Sequence, residues 1–113
     1  MNIQIFGTKK SFDTKKAQRW FKERRIKFQF IDLKEKGMSR GELESVARAA
    51  GGLDALVNPA AKDADTVALI QHLVPEQRFD KLLENQQIIA EPVVRNGKKA
   101  TVGYRPEVWE SWE

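Results

Sequence analysis

Residues 2–31, NIQIFGTKKSFDTKKAQRWFKERRIKFQFI, contain the pattern of a strand, a helix and a second strand. Apolar and polar residues alternate over residues 2–6, which predicts a short strand with one buried face. Ser11 is a suitable N-cap for a helix over residues 12–25, in which apolar residues recur at helical spacing. Residues 28–31 are apolar enough for the second strand. Such a βαβ unit predicts parallel strands joined by a right-handed crossover.

The sequence changes character over residues 38–85, where helical spacing replaces strand patterns. Ser39 and Glu42 form the sequence signature of a capping box, and Gly51-Gly52 ends the helix that they begin. Two further helices are expected before residue 85, with Pro75 at the boundary between them. We therefore predict that residues 38–85 form an all-helical insert.

The strand pattern returns after the insert. Residues 91–95 and 98–102 are strand-like, and Asn96-Gly97 between them is a strong signal for a two-residue hairpin turn. Pro106 then opens a last helix. The order βαβ, helical insert, ββα predicts an α/β protein with a mixed four-stranded sheet, a thioredoxin-like fold with one domain over residues 1–113.

The composition excludes several classes of function. None of the 113 residues is a cysteine, so the chain has neither disulfides nor thiol chemistry of its own. His72 is the only histidine and stands alone, so we expect no metal site and a structural or surface role for this residue. Met1 leads straight into a strand pattern, and no apolar run is long enough to cross a bilayer, so we expect a cytoplasmic protein.

The net charge of +4 is unevenly distributed. Residues 9–27 contain nine lysines and arginines but only two acidic residues, Asp13 and Glu23. Such a surface attracts nucleic acid, acidic proteins or small anions, although the simplest interpretation is a solvated helix face. Aromatic residues do not interleave with the basic ones on a sheet face, which argues against direct nucleic-acid binding.

Four sequence segments together resemble one known family. They are GTKKSFDTKKA (7–17), DLK (32–34) with SRGEL (39–43), LLEN (82–85) with EPVV (91–94), and VGYRPEVW (102–109). In this order they are similar to the arsenate reductase/Spx-type family over essentially the whole chain. That family contains glutathione-linked arsenate reductases, glutaredoxin-like reductases and redox-responsive regulators of RNA polymerase. The resemblance implies a thioredoxin-like fold and thiol-dependent chemistry.

The resemblance places the family's nucleophilic cysteine at Ser11, at the mouth of the first helix, where free N–H groups stabilise a thiolate. A second register, with a one-residue deletion, places it at Phe12 instead. The family's regulators often carry a second cysteine three residues on, where this chain has Thr14. Neither register supplies a thiol. The serine is compatible with natural loss of the cysteine and with its deliberate replacement.

Two further positions depart from the arsenate reductases. By resemblance, an arginine that holds the oxyanion precedes the proline of the third strand, but this chain has Glu91 before Pro92. Of the basic residues in the middle of the insert, only Lys62 is kept. A carboxylate at the oxyanion site would repel arsenate, so arsenate reduction is not expected even with a cysteine restored. Pro92 matches the thioredoxin-fold proline, which implies a cis Glu91–Pro92 bond.

Three functional hypotheses follow, and whether the chain is an enzyme stays open. In the first, it is a reductase-type protein silenced at Ser11, where Lys15 and the helix N-terminus would have lowered the pKa of a thiol. In the second, it is a non-enzymatic adaptor whose basic first helix binds an RNA polymerase subunit or another acidic partner. In the third, it binds glutathione or a small anion without turnover. The candidate ligand-binding residues are Lys10, Thr14, Lys15, Glu91 and Pro92.

Overall fold

The computed structural model describes residues 1–112. In chain order, the strands and α-helices are β1 (Ile3–Gly7), α1 (Phe12–Glu23), β2 (Phe28–Asp32), α2 (Arg40–Ala50), α3 (Ala64–His72), α4 (Pro75–Glu84), β3 (Val93–Asn96), β4 (Lys99–Val102) and α5 (Pro106–Glu110). Two 3-10 turns, Leu53–Leu56 and Gln86–Ile88, lie within and after the helical insert. Within residues 1–112, no helix has the length and apolar character needed to cross a membrane.

The four strands form one mixed sheet in the order β2-β1-β3-β4. Strand β1 is parallel to β2, with Ile3 opposite Phe28, as the βαβ pattern predicted. It is antiparallel to β3, and β3 and β4 form the expected hairpin around Gly97, which has a φ of 61°. The predicted α/β, thioredoxin-like fold with a mixed four-stranded sheet is confirmed.

The sheet buries apolar side chains on both faces because successive residues of a strand point in opposite directions. Ile3 and Ile5 of β1 pack with α1 and α5, in a cluster that also contains Trp20, Phe21 and Trp109. The opposite face of the sheet, which carries Phe6 of β1, packs against the insert. Its other buried members are Ile31, Leu33, Met38, Leu43, Val46, Leu56, Val67, Ile70, Leu82, Ile88, Ile89 and Val93. The insert therefore covers one face of the sheet.

Several element boundaries differ from the sequence prediction by one or two residues, and two of these differences have a clear physical reason. Helix α1 ends at Glu23 and not at residue 25, because Arg25 adopts a left-handed conformation with a φ of 59° and turns the chain towards β2. Strand β3 begins at Val93 and not at residue 91, since Pro92 has no N–H to contribute to the ladder. The peptide bond between Glu91 and Pro92 is cis, as predicted.

The predicted capping box of α2 is present. The Ser39 hydroxyl accepts from the Glu42 backbone N–H at 3.2 Å, and the Glu42 carboxylate accepts from the Ser39 N–H at 2.9 Å. Glu42 also accepts from Gln4 on β1, which in turn accepts from Arg95 on β3. This chain of hydrogen bonds joins the start of the insert to two central strands.

Replacing Glu42 with glutamine is expected to reduce stability in a pH-dependent way. Burial alone would raise the pKa of Glu42, but hydrogen bonds from Ser39 and Gln4 and the charge of Arg95 together lower it. A lowered folded-state pKa stabilises the fold above the ordinary value of 4.5, and this stabilisation disappears as the pH falls through the lowered value. Urea midpoints should therefore differ between E42Q and the parent at about pH 7, and differ less at a pH well below 4.5. E44Q, on the exposed side of α2, is the control, and an equal E42Q effect at both pH values would contradict this reasoning.

Candidate functional site

The candidate site lies where the loop after β1 meets the first turn of α1. Ser11 is the N-cap of α1, with an extended backbone (φ −76°, ψ 125°), and its hydroxyl accepts from the Thr14 N–H at 3.2 Å. This is the cap that the sequence predicted. The hydroxyl of Ser11 thus satisfies one of the free N–H groups at the start of the helix.

Thr14 lies beneath this turn and is fully buried. Its hydroxyl donates to Oε1 of Glu91 at 2.9 Å, across the end of β1. Gly7 makes this contact sterically feasible. A Cβ at Gly7 would lie 2.4 Å from Thr14 Oγ1 and 3.0 Å from Glu91 Oε1, too close for either atom to remain in place.

Glu91 is the second polar centre of the site. Its Oε1 accepts hydrogen bonds from the backbone N–H of Thr8 and from the Thr14 hydroxyl. The Thr8 hydroxyl lies 3.0 Å from both carboxylate oxygens. Strand β3 is antiparallel to β1, with Val93 opposite Phe6, so Glu91 lies beside the loop between β1 and α1. Thr14 therefore links Ser11, through its N–H, to Glu91, through its hydroxyl.

These residues border an open cleft of about 450 Å³ between the sheet end and the insert. Lys10, Ser11 and Glu91 of the predicted site line it, and Thr14 lies beneath it. Lys15 and Pro92 do not line it: Lys15 is exposed on α1 and Pro92 is buried. The remaining lining residues are Thr8, Lys34, Asn58, Ala60, Ala61, Lys62, Asp63, Gln87 and Ile89.

Sequence reasoning missed several of these lining residues. Lys34 follows β2, which is parallel to β1, so the sheet brings it beside the loop after β1. Gln87 follows α4 and reaches the cleft only through the packing of the insert on the sheet. Lys34 belongs to the DLK segment (32–34) but was not predicted as a site residue, and Gln87 lies outside the four motif segments. Lys62 was the one basic residue expected from the middle of the insert, and it does line the cleft.

Ser11 has no base to activate it. Within residues 1–112, its hydroxyl forms a hydrogen bond only with the Thr14 N–H, and the Glu91 carboxylate reaches Thr14 rather than Ser11. His72 is exposed at the end of α3, with its Nδ1 2.7 Å from the Ala68 carbonyl oxygen of its own helix. A serine without a hydrogen-bonded base is a weak nucleophile, so the arrangement does not favour covalent catalysis. No group of three acidic or histidine side chains in the described part of the chain is placed to hold a metal ion.

Comparison with known proteins identifies the family. The model of the ArsC family matches residues 6–112, almost the whole chain. The chain belongs to the ArsC family. An arsenate reductase from Vibrio cholerae has the same fold, with 20% identity, a TM-score of 0.82, and coverage of 98% of this chain and 97% of that one. A protein described as ArsC family related, from Bacteroides fragilis, aligns over 100% of this chain and 98% of its own, with 18% identity and a TM-score of 0.83. No protein of curated function matches the sequence.

Family membership confirms the resemblance found in the sequence. This ArsC-family chain has no cysteine. The assignment of the nucleophile position by resemblance, to Ser11 or in the second register to Phe12, stays a prediction. The surrounding architecture, with a helix N-terminus, a cis-proline and a cleft against the insert, is present.

Proposed function

We propose that this ArsC-family protein is silent as a reductase and uses the cleft beside Ser11 to bind glutathione or a related anionic ligand. The observation that carries the proposal is the N-cap geometry of Ser11, whose hydroxyl accepts from the Thr14 N–H at 3.2 Å where the motif comparison expects a thiol. The site is therefore folded around a side chain that caps a helix and has no redox chemistry.

The lack of reductase activity follows from the electron balance of thiol-dependent reduction. A thiolate gives up electrons when it forms a disulfide, and a serine hydroxyl cannot form that bond. With Cys absent from all 113 residues, no other side chain replaces it. Glu91 adds a second obstacle to arsenate, because its carboxylate lies on the cleft wall and repels a like charge.

The residues of the cleft fit a short anionic peptide. Lys10, Lys34 and Lys62 line it from three separate segments, so they offer positive charge along its length. Asn58 and Gln87 add amide groups that both donate and accept. A volume of about 450 Å³ is in the range of small-molecule sites. Glutathione would be held here by its carboxylates and peptide groups, with its thiol free.

The proposal is tested with S-methylglutathione and with one variant. We expect the parent protein to bind this thiol-blocked peptide, with amide NMR shifts at residues 8–11, 34, 58–63 and 87–91. The parent should form no adduct with glutathione disulfide, whereas S11C should displace one glutathione and retain the other as a mixed disulfide detected by mass spectrometry. S11C should still not reduce arsenate. Adduct formation or arsenate turnover by the parent protein would contradict the proposal.

The adaptor function is a second candidate, favoured by the exposure of Phe12. Its side chain is 84% exposed at the start of α1, next to basic residues of that helix. Lys16 and Arg24 stack on Tyr104 and Trp20, at 4.5 Å and 4.0 Å from the ring centroids, whereas Lys15 is exposed on the same helix. In the same NMR experiment, an acidic peptide that shifts Phe12 and Lys15 but not the cleft would favour this candidate.

A further inference from the structure

The Glu91 carboxylate has an unusual set of partners for an acidic side chain at a cleft. Its hydrogen-bond donors are the Thr8 N–H, the Thr8 hydroxyl and the Thr14 hydroxyl, all of them neutral. The Thr8 hydroxyl has one proton to share between two oxygens that it approaches equally, at 3.0 Å. Oε1 is therefore well satisfied, and Oε2 retains capacity for another donor.

In the described part of the chain, no basic side chain forms a salt bridge with this carboxylate. Within residues 1–112, the salt bridges with N···O distances up to 4.0 Å involve Glu35, Asp80, Asp54 and Glu107, and none involves Glu91. Three lysines line the same cleft, but in the described chain none of them forms a salt bridge. The cleft thus presents the negative charge of Glu91 apart from the positive charges of the three lysines.

Asp63, the other acidic residue of the cleft, uses both carboxylate oxygens in hydrogen bonds within the protein. It is the N-cap of α3, accepting from the Thr66 N–H at 3.2 Å and the Thr66 hydroxyl at 2.6 Å. The Gln87 amide donates to it at 3.1 Å. The Thr66 hydroxyl, with Gln87 and the Thr66 N–H, lowers the pKa of Asp63, so this residue remains charged as a cap. Glu91 is consequently the carboxylate with a free oxygen.

Two backbone donors beside the mouth of α1 are already occupied. The Thr8 N–H is bound to Glu91 and the Thr14 N–H to the Ser11 hydroxyl. Glu91 therefore acts as an internal anion that takes hydrogen bonds otherwise available to an external one.

We propose that Glu91 makes the cleft selective for zwitterionic ligands, with an ammonium group of the ligand against Glu91 and a carboxylate group among Lys10, Lys34 and Lys62. The same residue excludes free oxyanions. This inference rests on the proposed function, since it takes the cleft to be a binding site, and it adds the charge pattern of the ligand. A ligand ammonium that donates to Glu91 Oε2 forms a charge-assisted hydrogen bond with an oxygen that can still accept one.

The test uses a matched pair of ligands and a matched pair of variants. S-methylglutathione carries an ammonium group, and N-acetyl-S-methylglutathione lacks it. Calorimetry should show at least tenfold weaker binding of the acetylated peptide to the parent protein. E91Q should lose this discrimination and bind inorganic phosphate at least tenfold more tightly than the parent. D13N is the control, because it removes the same charge from an exposed residue of α1 that does not line the cleft, and it should keep the discrimination.

The outcomes separate the two proposals. Equal binding of both peptides to the parent protein overturns the zwitterion inference but not the proposed function. This comparison uses only the parent protein, so it does not depend on whether a variant folds. Unchanged phosphate binding by a folded E91Q also overturns it. Failure of S-methylglutathione to bind at all contradicts the proposed function and the inference together.

Discussion

Replacing Trp109 with alanine should destabilise the protein by about 4 kcal/mol, the largest single-site effect on stability expected in this chain. Trp109 is 1% exposed, and its ring lies 5.1–5.4 Å, centroid to centroid, from Phe21, Trp20 and Tyr104. Its indole N–H donates to the buried Thr101 hydroxyl at 2.8 Å. The substitution would leave a large cavity and an unpaired hydroxyl.

Urea denaturation followed by far-ultraviolet circular dichroism measures this loss without depending on tryptophan fluorescence. W112A is the matched control, because Trp112 is only partly buried at the edge of the same cluster and should cost much less. A Trp109→Ala effect no larger than that of Trp112→Ala would mean that α5 contributes little to the core.

Replacing Gly7 with alanine should destabilise the protein by about 2 kcal/mol and abolish ligand binding in the cleft. The added Cβ would lie 2.4 Å from Oγ1 and 2.7 Å from Cγ2 of Thr14. Thr14 is short and fully buried, so it has no room to move aside without breaking its hydrogen bond to Glu91. The first turn of α1 or the Glu91 side chain must then shift.

This prediction is checked by chemical denaturation together with calorimetric titration of S-methylglutathione. G41A is the control, because a Cβ at Gly41 meets no atom within 4 Å and glycine is a poor residue inside a helix. G41A should therefore be neutral or stabilising. Parent-like stability and binding in G7A would show that the close approach of Thr14, Gly7 and Glu91 is unimportant.

The sequence was most informative where local chemistry dictates local structure. Alternation over β1, the cap at Ser11, the capping box at Ser39 and the turn at Gly97 each depend on residues close together in the chain. Their order was enough to predict the mixed sheet and the helical insert. The cis Glu91–Pro92 bond was predicted from family resemblance alone.

Features that depend on tertiary packing were not predictable in this way. Arg25, in a run of basic residues, gives no sign of the left-handed turn that ends α1. Gln87 reaches the cleft only through the packing of the insert on the sheet. The sequence placed a carboxylate at Glu91, but only the structure shows the hydrogen bonds from Thr8 and Thr14 that hold it. Sequence reasoning therefore named residues that meet at the mouth of α1 but did not predict most of the residues that line the cleft.

The central claim is that a cleft of the reductase type survives in this chain and that Ser11 alone removes its thiol chemistry. The most direct measurement is the thiol pKa of S11C, obtained from the pH dependence of its alkylation rate. Because the parent has no cysteine, this variant has a single thiol, and S111C, at the exposed Ser111, is a matched reference. A thiol pKa about one unit or more below the free value of about 8.5 in S11C, with S111C near that value, is the predicted result. An unshifted and slowly reacting thiol in S11C would show that the helix N-terminus no longer supports a reductase-type site.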